Sequence, residues 1–230
     1  MREGIAQTSS PEPLGRLPSR HDLSPLEVAS DQRRRMLTAA AAALEKYGYA
    51  GTTVSKVLEG AGVSRRTFYE QFADKDDCLL VAYDDAERRA WAHVVNTRTG
   101  ESSGDWPQRV HVAVGAAMDF LAAEPATARL FTVEARPSPL IAERQRGAVE
   151  RIAAILRPDN RGGSNSDDLP EATERTLVGN VAALVGSYVL SGATELLPSL
   201  TTQLADHLLL PYREAGAGAA SVSAATRGPR

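Results

Sequence analysis

The chain has 230 residues, of which 43% are hydrophobic, and it carries a formal net charge of −3 and one cysteine. This length can supply the core of one small and one medium domain, or of a single all-helical body. The acidic balance excludes a uniformly basic nucleic-acid coat, so any contact with DNA has to come from a local patch. A single cysteine excludes a disulfide within the chain and fits a reducing cytosol.

Membrane insertion and export are both disfavoured by the sequence. No apolar run reaches the roughly 18–20 residues that would span a bilayer. The first residues also lack the apolar region of a signal peptide. We therefore expect a cytoplasmic protein that makes no contact with a membrane.

Residues 1–30 form the first segment, in which prolines and serines are frequent and large apolar residues are few. Such a segment cannot bury enough surface to offset its ordering entropy, which predicts a disordered arm. The arm is predicted to be basic on account of its arginines and of the run Arg33-Arg34-Arg35 just after it. Two interpretations stay open: an arm that follows phosphates or enters a minor groove, and a tail that only keeps the protein in solution.

A first helix is predicted over residues 31–47. Five consecutive alanines favour a helix here, and Met36, Ala40 and Leu44 recur on one face. The alanines would also provide a surface for close packing against the elements that follow. Gly48 is expected to end the helix.

The next stretch has the pattern of two short helices joined by a tight turn. Apolar residues at helical spacing mark the first of them, and Thr53 is placed to cap its N-terminus. Gly62 is expected to end it, because a residue just past a helix often needs a positive φ. Ser64 would cap a second helix that extends to Phe72, with Phe68 and Phe72 packed onto the first helix. This pattern is a helix-turn-helix, whose second helix is suited to reading DNA.

The exposed face of the second helix carries groups that can meet base edges and phosphates. Arg65 and Arg66 are each suited to a bidentate contact with guanine, worth roughly 1–3 kcal/mol of discrimination, or to a phosphate. Gln71 is suited to adenine, and Thr67 to the methyl group of thymine or to a phosphate. Lys56, on the exposed side of the first helix, is a weaker candidate. One such helix makes few base contacts, so useful specificity requires a two-fold dimer on a roughly palindromic site.

The run AAALEKYGYAGTTVSKVLEGAGVSRRTFYEQFADKDDCLL resembles the N-terminal DNA-binding domain of TetR/AcrR-type transcriptional regulators. The glycine-aromatic turn, the two threonines before an apolar residue, AGVS and the final TFY..F..K occur in the order and spacing of that family. The resemblance covers roughly residues 31–85. The chain departs from the family at Leu58, where a small alanine is usual, and at Gln71, where histidine or tyrosine is commoner.

The resemblance implies roles for further residues in DNA binding. In the family, the positions that match Thr53 and Tyr69 commonly contact phosphates. A lysine at the position of Lys75 contacts the DNA backbone, and Lys75 lies beside the start of the next helix, which suits that contact. The complete predicted set is Thr53, Lys56, Ser64, Arg65, Arg66, Thr67, Tyr69, Gln71 and Lys75.

The rest of the chain has the pattern of further helices separated by polar breaks. The predicted helices cover residues 74–96, 106–124, 126–135, 140–156 and 169–190, with a last one that ends at Pro211. Residues 214–230, rich in alanine and glycine, are expected to form a disordered tail. The sequence therefore predicts an all-α protein of about nine helices, with a helix-turn-helix domain at residues 31–76 and a C-terminal domain at residues 77–213.

The resemblance also implies that the C-terminal domain binds an effector and forms a dimer. In the family the last two long helices form a four-helix dimer interface, and the predicted interface residues here are Leu177, Val181, Leu184, Val185, Leu204 and Leu208. An ordinary helix pair within one subunit stays open as the alternative. The candidates for the walls of a mainly apolar effector cavity, each of which also suits plain core, are Trp91, Met118, Phe131 and Tyr188.

Catalysis has no support in the sequence. The four histidines are far apart and form no HxxxH or HExxH pattern, so no metal site is predicted. Cys78 has no CxxC partner and is expected to be a small core residue. Gly162 and Gly163 lie in a polar stretch rather than between a strand and a helix, so no cofactor site is predicted. Glu134 has two interpretations, a buried anchor for a ligand and a partly exposed charge.

These observations predict a homodimeric repressor that binds a palindromic operator in double-stranded DNA. A small hydrophobic or amphipathic effector is expected to release it from the DNA. A second hypothesis keeps the DNA-binding domain and makes the C-terminal domain a protein-interaction module without a ligand. A closed apolar cavity near Trp91, Met118 and Phe131 would favour the first hypothesis.

Overall fold

The computed structural model describes residues 24–99, 104–134, 138–156, 169–170 and 172–226. Over these residues the chain forms nine α-helices, one 3₁₀ helix and no β-strand, which confirms the all-α prediction. None of the helices in this part of the chain is long and apolar enough to cross a membrane. Most of the predicted N-terminal arm and the pair Gly162-Gly163 lie outside the described residues.

The first four helices are α1 (Pro25–Gly51), α2 (Val54–Ala61), α3 (Arg65–Tyr69) and α4 (Lys75–Thr99). α1 packs along α2, and α4 lies against α1. We call α1, α2, α3 and the first turn of α4 the head. Because α4 continues well beyond this first turn, it connects the head to the rest of the molecule.

The other helices form the body: α5 (Trp106–Ala123), α6 (Pro125–Thr132), α7 (Pro139–Leu156), α8 (Thr173–Leu190) and α9 (Thr201–Thr226), with the 3₁₀ helix Thr194–Leu200 before α9. α5 packs on α4 and α9, while α6 and α7 pack on α8. Two ion pairs fasten α7 to α4. Arg144 lies 2.9 Å from Asp84, and Arg151 pairs with Glu87.

The head and the body share one apolar cluster. Its buried members in the head include Met36, Val57 and Phe68, and it continues into the body through Leu130 on α6 and Ile141 on α7. We call it the shared cluster. Two further clusters lie within the body, one formed by α5, α7, α8 and α9 and the other by α5, α6, α8 and α9. Since buried apolar area is the main favourable term in folding, the shared cluster ties the stability of the head to that of the body.

α1 begins at Pro25, before the predicted start at Asp31. The Ser24 hydroxyl accepts from the Glu27 N–H at 3.3 Å, and the Glu27 carboxylate accepts from the Ser24 N–H at 2.7 Å. This capping box, with a proline at the first helical position, stabilises a helix start. The last part of the segment predicted to be a disordered arm, residues 25–30, is therefore helical.

Gly48 bends α1 instead of ending it. Its φ is 66° and its ψ is 175°, outside the helical region, and the helix resumes and runs to Gly51. Glycine adopts this φ without the steric cost that other residues meet. The Thr52 hydroxyl, just after the end of α1, donates to the Gly48 carbonyl at 2.8 Å and so stabilises the bend.

α9 is longer than predicted, because it continues through Pro211 to Thr226. Leu208 and Leu209 are buried and hold the helix just before the proline. Proline removes one hydrogen bond of the helix, which is unfavourable. The alanines after it have a high helix propensity, so the helix continues in spite of this loss. The predicted disordered tail is thus helical up to residue 226, and residues 227–230 lie outside the described part.

Candidate nucleic-acid interface

Three residues build the turn between α2 and α3. Thr53 Oγ1 accepts from the Lys56 N–H at 3.4 Å and caps α2. Gly62 follows α2 with a φ of 61°, in the left-handed region that glycine favours. Ser64 Oγ accepts from the Thr67 N–H at 3.0 Å and caps α3. The helix-turn-helix is confirmed, as are the two predicted caps and the predicted end of α2 at Gly62.

Two phenylalanines hold α3 on the head. Phe68 and Phe72 are 0% and 2% exposed, and their ring centroids are 5.4 Å apart. α3 ends at Tyr69, earlier than predicted, and a turn carries the chain to Phe72. From α1, the Arg33 guanidinium lies 4.7 Å from the centroid of the Phe72 ring, a cation–π contact. Because the inner face of α3 is fixed, its outer face has a defined orientation.

The outer face of α3 presents Arg65, Arg66 and Tyr69 to solvent. Arg65 Nη2 donates to Ser55 Oγ on α2 at 3.1 Å, and Arg66 pairs with Glu70 at 2.8 Å. The hydrogen bond to Glu70 raises the pKa of Arg66, so this guanidinium stays charged. Water screens such exposed contacts and they stabilise the protein little, so phosphates or bases can replace these partners.

Thr67 and Gln71 are less accessible than the two arginines. Both are half-buried; the Thr67 hydroxyl lies 2.8 Å from the Ser64 hydroxyl, and Gln71 Nε2 donates to the Ala29 carbonyl at 3.4 Å. The predicted contact of Gln71 with adenine therefore requires its amide to leave α1. This hydrogen bond exists only because α1 begins before residue 31.

Both predicted lysines lie over tyrosine rings of α1. Lys56 Nζ is 3.7 Å from the centroid of the Tyr47 ring and donates to the Gly51 carbonyl at 2.7 Å. Lys75 Nζ is 3.7 Å from the centroid of the Tyr49 ring and donates to the Tyr49 carbonyl at 3.4 Å. These contacts hold each ammonium group near the start of its own helix, and exposed cation–π contacts are worth about 0.5–1 kcal/mol.

An open cleft of about 520 Å³ lies along α1 and α2. Alanines of α1 line it together with the four cations Arg34, Arg35, Lys46 and Lys56. Arg35 is already bound, because its Nε lies 3.1 Å from Asp31 and its Nη1 donates to the Ala61 carbonyl at 2.9 Å. The head therefore presents basic side chains along α1 and α2 as well as on α3.

Glu134, just after α6, has a role that the sequence did not reveal. It is 4% exposed, so its interpretation as a partly exposed charge is wrong. One carboxylate oxygen accepts from Arg129 Nε at 2.9 Å, and the other accepts from the Tyr49 N–H of α1 at 2.8 Å. These two donors satisfy the buried carboxylate. No local pattern marks the contact with α1, because Tyr49 is 85 residues from Glu134 in sequence.

The four effector candidates do not form one group. Phe131 packs in the shared cluster, with its ring centroid 5.0 Å from that of Tyr83. Met118 and Tyr188 belong to the body cluster of α5, α6, α8 and α9. Trp91, on α4, is half-buried and belongs to none of the three clusters of the described residues. Their part in binding an effector stays a prediction.

Most of the predicted dimer-interface residues are core residues of the protomer. Four of the six are between 2% and 8% exposed and pack in the two body clusters: Leu177, Val185, Leu204 and Leu208. A side chain that its own chain already covers offers little surface to a second copy. This burial favours the alternative, a helix pair within one subunit, and the part of these four residues in a dimer stays a prediction. Val181 and Leu184 are half-buried and remain candidates.

The potential metal ligands and the cysteine of the described residues were the remaining candidates for a reactive site. No group of three or more His, Cys, Asp and Glu residues there is arranged to hold a metal ion. Cys78 is a fully buried member of the shared cluster, as predicted, and burial raises its pKa to about 12. A thiol that stays protonated is a poor nucleophile.

Sequence relatives are bacterial transcriptional regulators. Residues 36–82 match the family described as bacterial regulatory proteins, tetR family. The chain is 30% identical over 145 residues to the HTH-type transcriptional regulator EthR of Mycolicibacterium smegmatis, which covers 61% of this chain and 66% of that regulator. It is 26% identical over 191 residues to the HTH-type transcriptional regulator BetI of Burkholderia mallei, which covers 78% of this chain and 94% of BetI.

Solved structures share the fold along most of their length. The fatty acid degradation regulator FadR from Bacillus halodurans superposes with a TM-score of 0.64 at 22% identity, covering 76% of this chain and 97% of that one. FadR from Bacillus subtilis, solved in complex with stearoyl-CoA, superposes with a TM-score of 0.59 at 19% identity, covering 76% of this chain and 96% of that one. These identities support the fold alone. With the helix-turn-helix geometry and the sequence matches in agreement, the chain belongs to the TetR family of bacterial regulatory proteins.

Proposed function

We propose that this protein is a transcriptional regulator that binds a palindromic operator in double-stranded DNA as a two-fold dimer and is released by a small, mainly apolar effector. The observation that carries the proposal is the outer face of α3. There Arg65, Arg66 and Tyr69 are exposed, while the inner face is fixed by the fully buried Phe68. A helix mounted in this way can enter the major groove.

The exposed groups divide into those that read bases and those that bind the backbone. Arg65 and Arg66 lie in the first turn of α3, where side chains reach base edges, and a bidentate contact with guanine discriminates by about 1–3 kcal/mol. Thr53, Tyr69 and Lys75 bind phosphates, which fix the register of the protein on the duplex without reading sequence.

The dimer contact uses the exposed faces of α8 and α9. On α8 the exposed residues recur three or four positions apart, in a stripe of Thr176, Asn180, Ala183, Ser187 and Leu190. α9 has a shorter stripe of Gln203, His207 and Leu210. Leu190 and Leu210 are 64% and 49% exposed and would be the apolar anchors of the contact. The small side chains of Ala183 and Ser187 in the α8 stripe allow two helices to approach closely.

The effector class is supported by the apolar character of the body helices. A structural neighbour, FadR from Bacillus subtilis, was solved with stearoyl-CoA, which combines a long apolar chain with a charged group. We infer an effector of comparable amphipathic character for this protein. A ligand that favours one spacing of the two heads shifts the dimer to that state and lowers its affinity for the operator.

Fluorescence anisotropy tests the DNA-binding part of the proposal. A duplex from the region upstream of this protein's gene and a scrambled duplex are titrated over a range of salt concentrations. We expect selective binding that weakens steeply with salt, and loss of selectivity when Arg65→Ala and Arg66→Ala are combined. Equal, weak binding to both duplexes, unchanged by these substitutions, would contradict the proposal.

A matched control is Arg146→Ala. Arg146 is an exposed arginine of α7 that pairs with Glu143 in its own helix, as Arg66 pairs with Glu70. It lies in the body, so we expect affinity and selectivity like those of the wild type. Titration of the DNA complex with stearoyl-CoA and with stearate then tests release. If no amphipathic ligand changes the affinity, the interaction-module hypothesis gains support.

A further inference from the structure

We propose that Glu134 is a positioning residue for DNA binding: its carboxylate, on the body, fixes Tyr49 at the end of α1, and Tyr49 in turn orients Lys75 at the start of α4. The inference rests on the proposed function, because the orientation of Lys75 matters only if the head binds DNA. It gives a residue of the body, without any DNA contact of its own, a part in operator binding.

The first link lies at the bend in α1. With a φ of 66° and a ψ of 175°, Gly48 interrupts the helical conformation just before Tyr49, whose N–H donates to Glu134 Oε2 at 2.8 Å. A Cβ atom added at position 48 would lie 3.8 Å from both carboxylate oxygens of Glu134, so the carboxylate packs against the glycine itself. The bend and the carboxylate thus fit each other across the junction of head and body.

The second link fixes the carboxylate from the body side. Glu134 Oε1 accepts from Arg129 Nε at 2.9 Å, and Arg129 belongs to α6. The arginine is the charged partner that a carboxylate only 4% exposed requires. Charge-assisted hydrogen bonds are shorter and stronger than neutral ones. Glu134 therefore holds a position that the end of α6 determines.

The third link is the side chain of Tyr49. Its hydroxyl donates to Asp76 in the first turn of α4, 3.0 Å from each carboxylate oxygen. Its ring lies under the Lys75 ammonium group at 3.7 Å, and its carbonyl accepts from the same group at 3.4 Å. Lys75 is also 3.3 Å from Asp76. By engaging Asp76, the tyrosine hydroxyl limits how strongly that carboxylate competes with a phosphate for the lysine.

The expected consequence is confined to one phosphate contact in each protomer of the dimer. Without the Glu134 carboxylate the Tyr49 N–H loses its acceptor, the end of α1 relaxes, and Lys75 loses its defined position. A lysine that is already oriented loses less side-chain freedom when it meets a phosphate. Since phosphates carry no sequence information, the loss should change the salt dependence of binding and leave the choice between sequences intact.

The experiment measures anisotropy on the upstream and scrambled duplexes over a salt series for Glu134→Ala, Glu134→Gln, Lys75→Ala and the combination of Glu134→Ala with Lys75→Ala. We expect Glu134→Ala to flatten the plot of log affinity against log salt by about 1.8, because each of the two heads of the dimer loses one phosphate contact. Lys75→Ala should flatten it equally, and the combined variant no further. Glu134→Gln keeps an oxygen that can accept the Tyr49 N–H, so it should retain the wild-type slope.

Two further variants test whether a change in slope could come from a general loss of structure instead of from the position of Lys75. Glu143→Ala removes an exposed glutamate of α7 that pairs with Arg146, and its slope should equal that of the wild type. If circular dichroism shows that Glu134→Ala does not fold, Tyr49→Leu decides instead. This substitution keeps the N–H for Glu134 and removes the ring and hydroxyl that place Lys75, so the same flattening is expected.

A wild-type slope in Glu134→Ala, or in Tyr49→Leu if the former does not fold, overturns the inference. So does a flattened slope in Glu134→Gln, or a combined variant whose loss is the sum of the two single losses. Failure of the proposed function gives a different result: the wild type then binds the upstream and scrambled duplexes equally, and the inference falls with it.

Discussion

The head and the body differ in how their sequence determines their structure. In the head, Thr53, Gly62 and Ser64 each act within a few residues of themselves, as a cap, a turn and a second cap. In the body, helices distant in sequence meet through apolar side chains, as Val110 of α5 and Leu208 of α9 do in one cluster. Interactions between residues close in sequence thus determine the helix-turn-helix, whereas packing between helices determines which surfaces of the body remain exposed.

The two parts are nevertheless mechanically connected. The shared cluster reaches Leu130 and Ile141 in the body, and the buried Glu134 holds the end of α1. A change at the end of α6 therefore meets the head at two places, one apolar and one charged. The following predictions ask how far the head and the body behave as separate units.

The largest effect is expected from Phe68→Ala. Phe68 is fully buried in the shared cluster, and truncating a buried phenylalanine costs about 3–5 kcal/mol. Because the cluster includes residues of the body, we expect the whole chain to lose stability in one unfolding transition, together with operator binding. Urea unfolding followed by circular dichroism measures this.

The control for Phe68→Ala is Leu140→Ala. Leu140 is 50% exposed on α7, and surface substitutions usually change stability by less than about 0.5 kcal/mol. If Phe68→Ala instead produces an early transition of low amplitude, with the main transition unchanged, the head unfolds separately and the shared cluster does not couple the two parts.

Replacing a glycine by alanine is expected to have a smaller effect on stability, and the sign of this effect should differ between Gly62 and Gly179. Gly62→Ala places a side chain at a φ of 61°, which costs about 1–2 kcal/mol. Gly179→Ala lies within α8, where an added Cβ has no neighbour within 4 Å, and should stabilise by about 0.5–1 kcal/mol. Thermal unfolding of both variants measures the difference, and a shift of both midpoints in the same direction would contradict the conformational argument.

The head was largely predictable because its signals are short-range. Thr53, Gly62 and Ser64 act as their residue types suggest, and the spacing of Phe68 and Phe72 identified the buried face of α3. The start of α1 was missed, because a proline beside a serine suits a disordered segment as well as a capped helix start. Only the hydrogen bonds of the capping box distinguish the two.

The helices of the body could be predicted from the sequence, but which of their faces are buried within the protomer could not. Periodicity shows which residues of α8 and α9 are apolar, but it does not show whether a helix or a second chain covers them. Leu204 and Leu208 are covered by the protomer itself, whereas Leu190 on α8 and Leu210 on α9 are exposed. Glu134 was equally hidden, since its partner Tyr49 lies on an element distant in sequence.

The smallest predicted effect concerns Cys78 on α4, the helix that links the head to the body. Burial raises the pKa of its thiol from 9.0 to about 12, so between these values the unfolded chain loses a proton that the folded chain retains. Stability therefore falls as the pH rises above the unfolded value, by about 0.7 kcal/mol between pH 8.5 and 9.5. Urea unfolding at the two pH values measures the fall, and Cys78→Ala should abolish most of it. An equal fall in that variant would mean that other groups titrate, and that burial of this thiol in the shared cluster contributes nothing to the pH dependence.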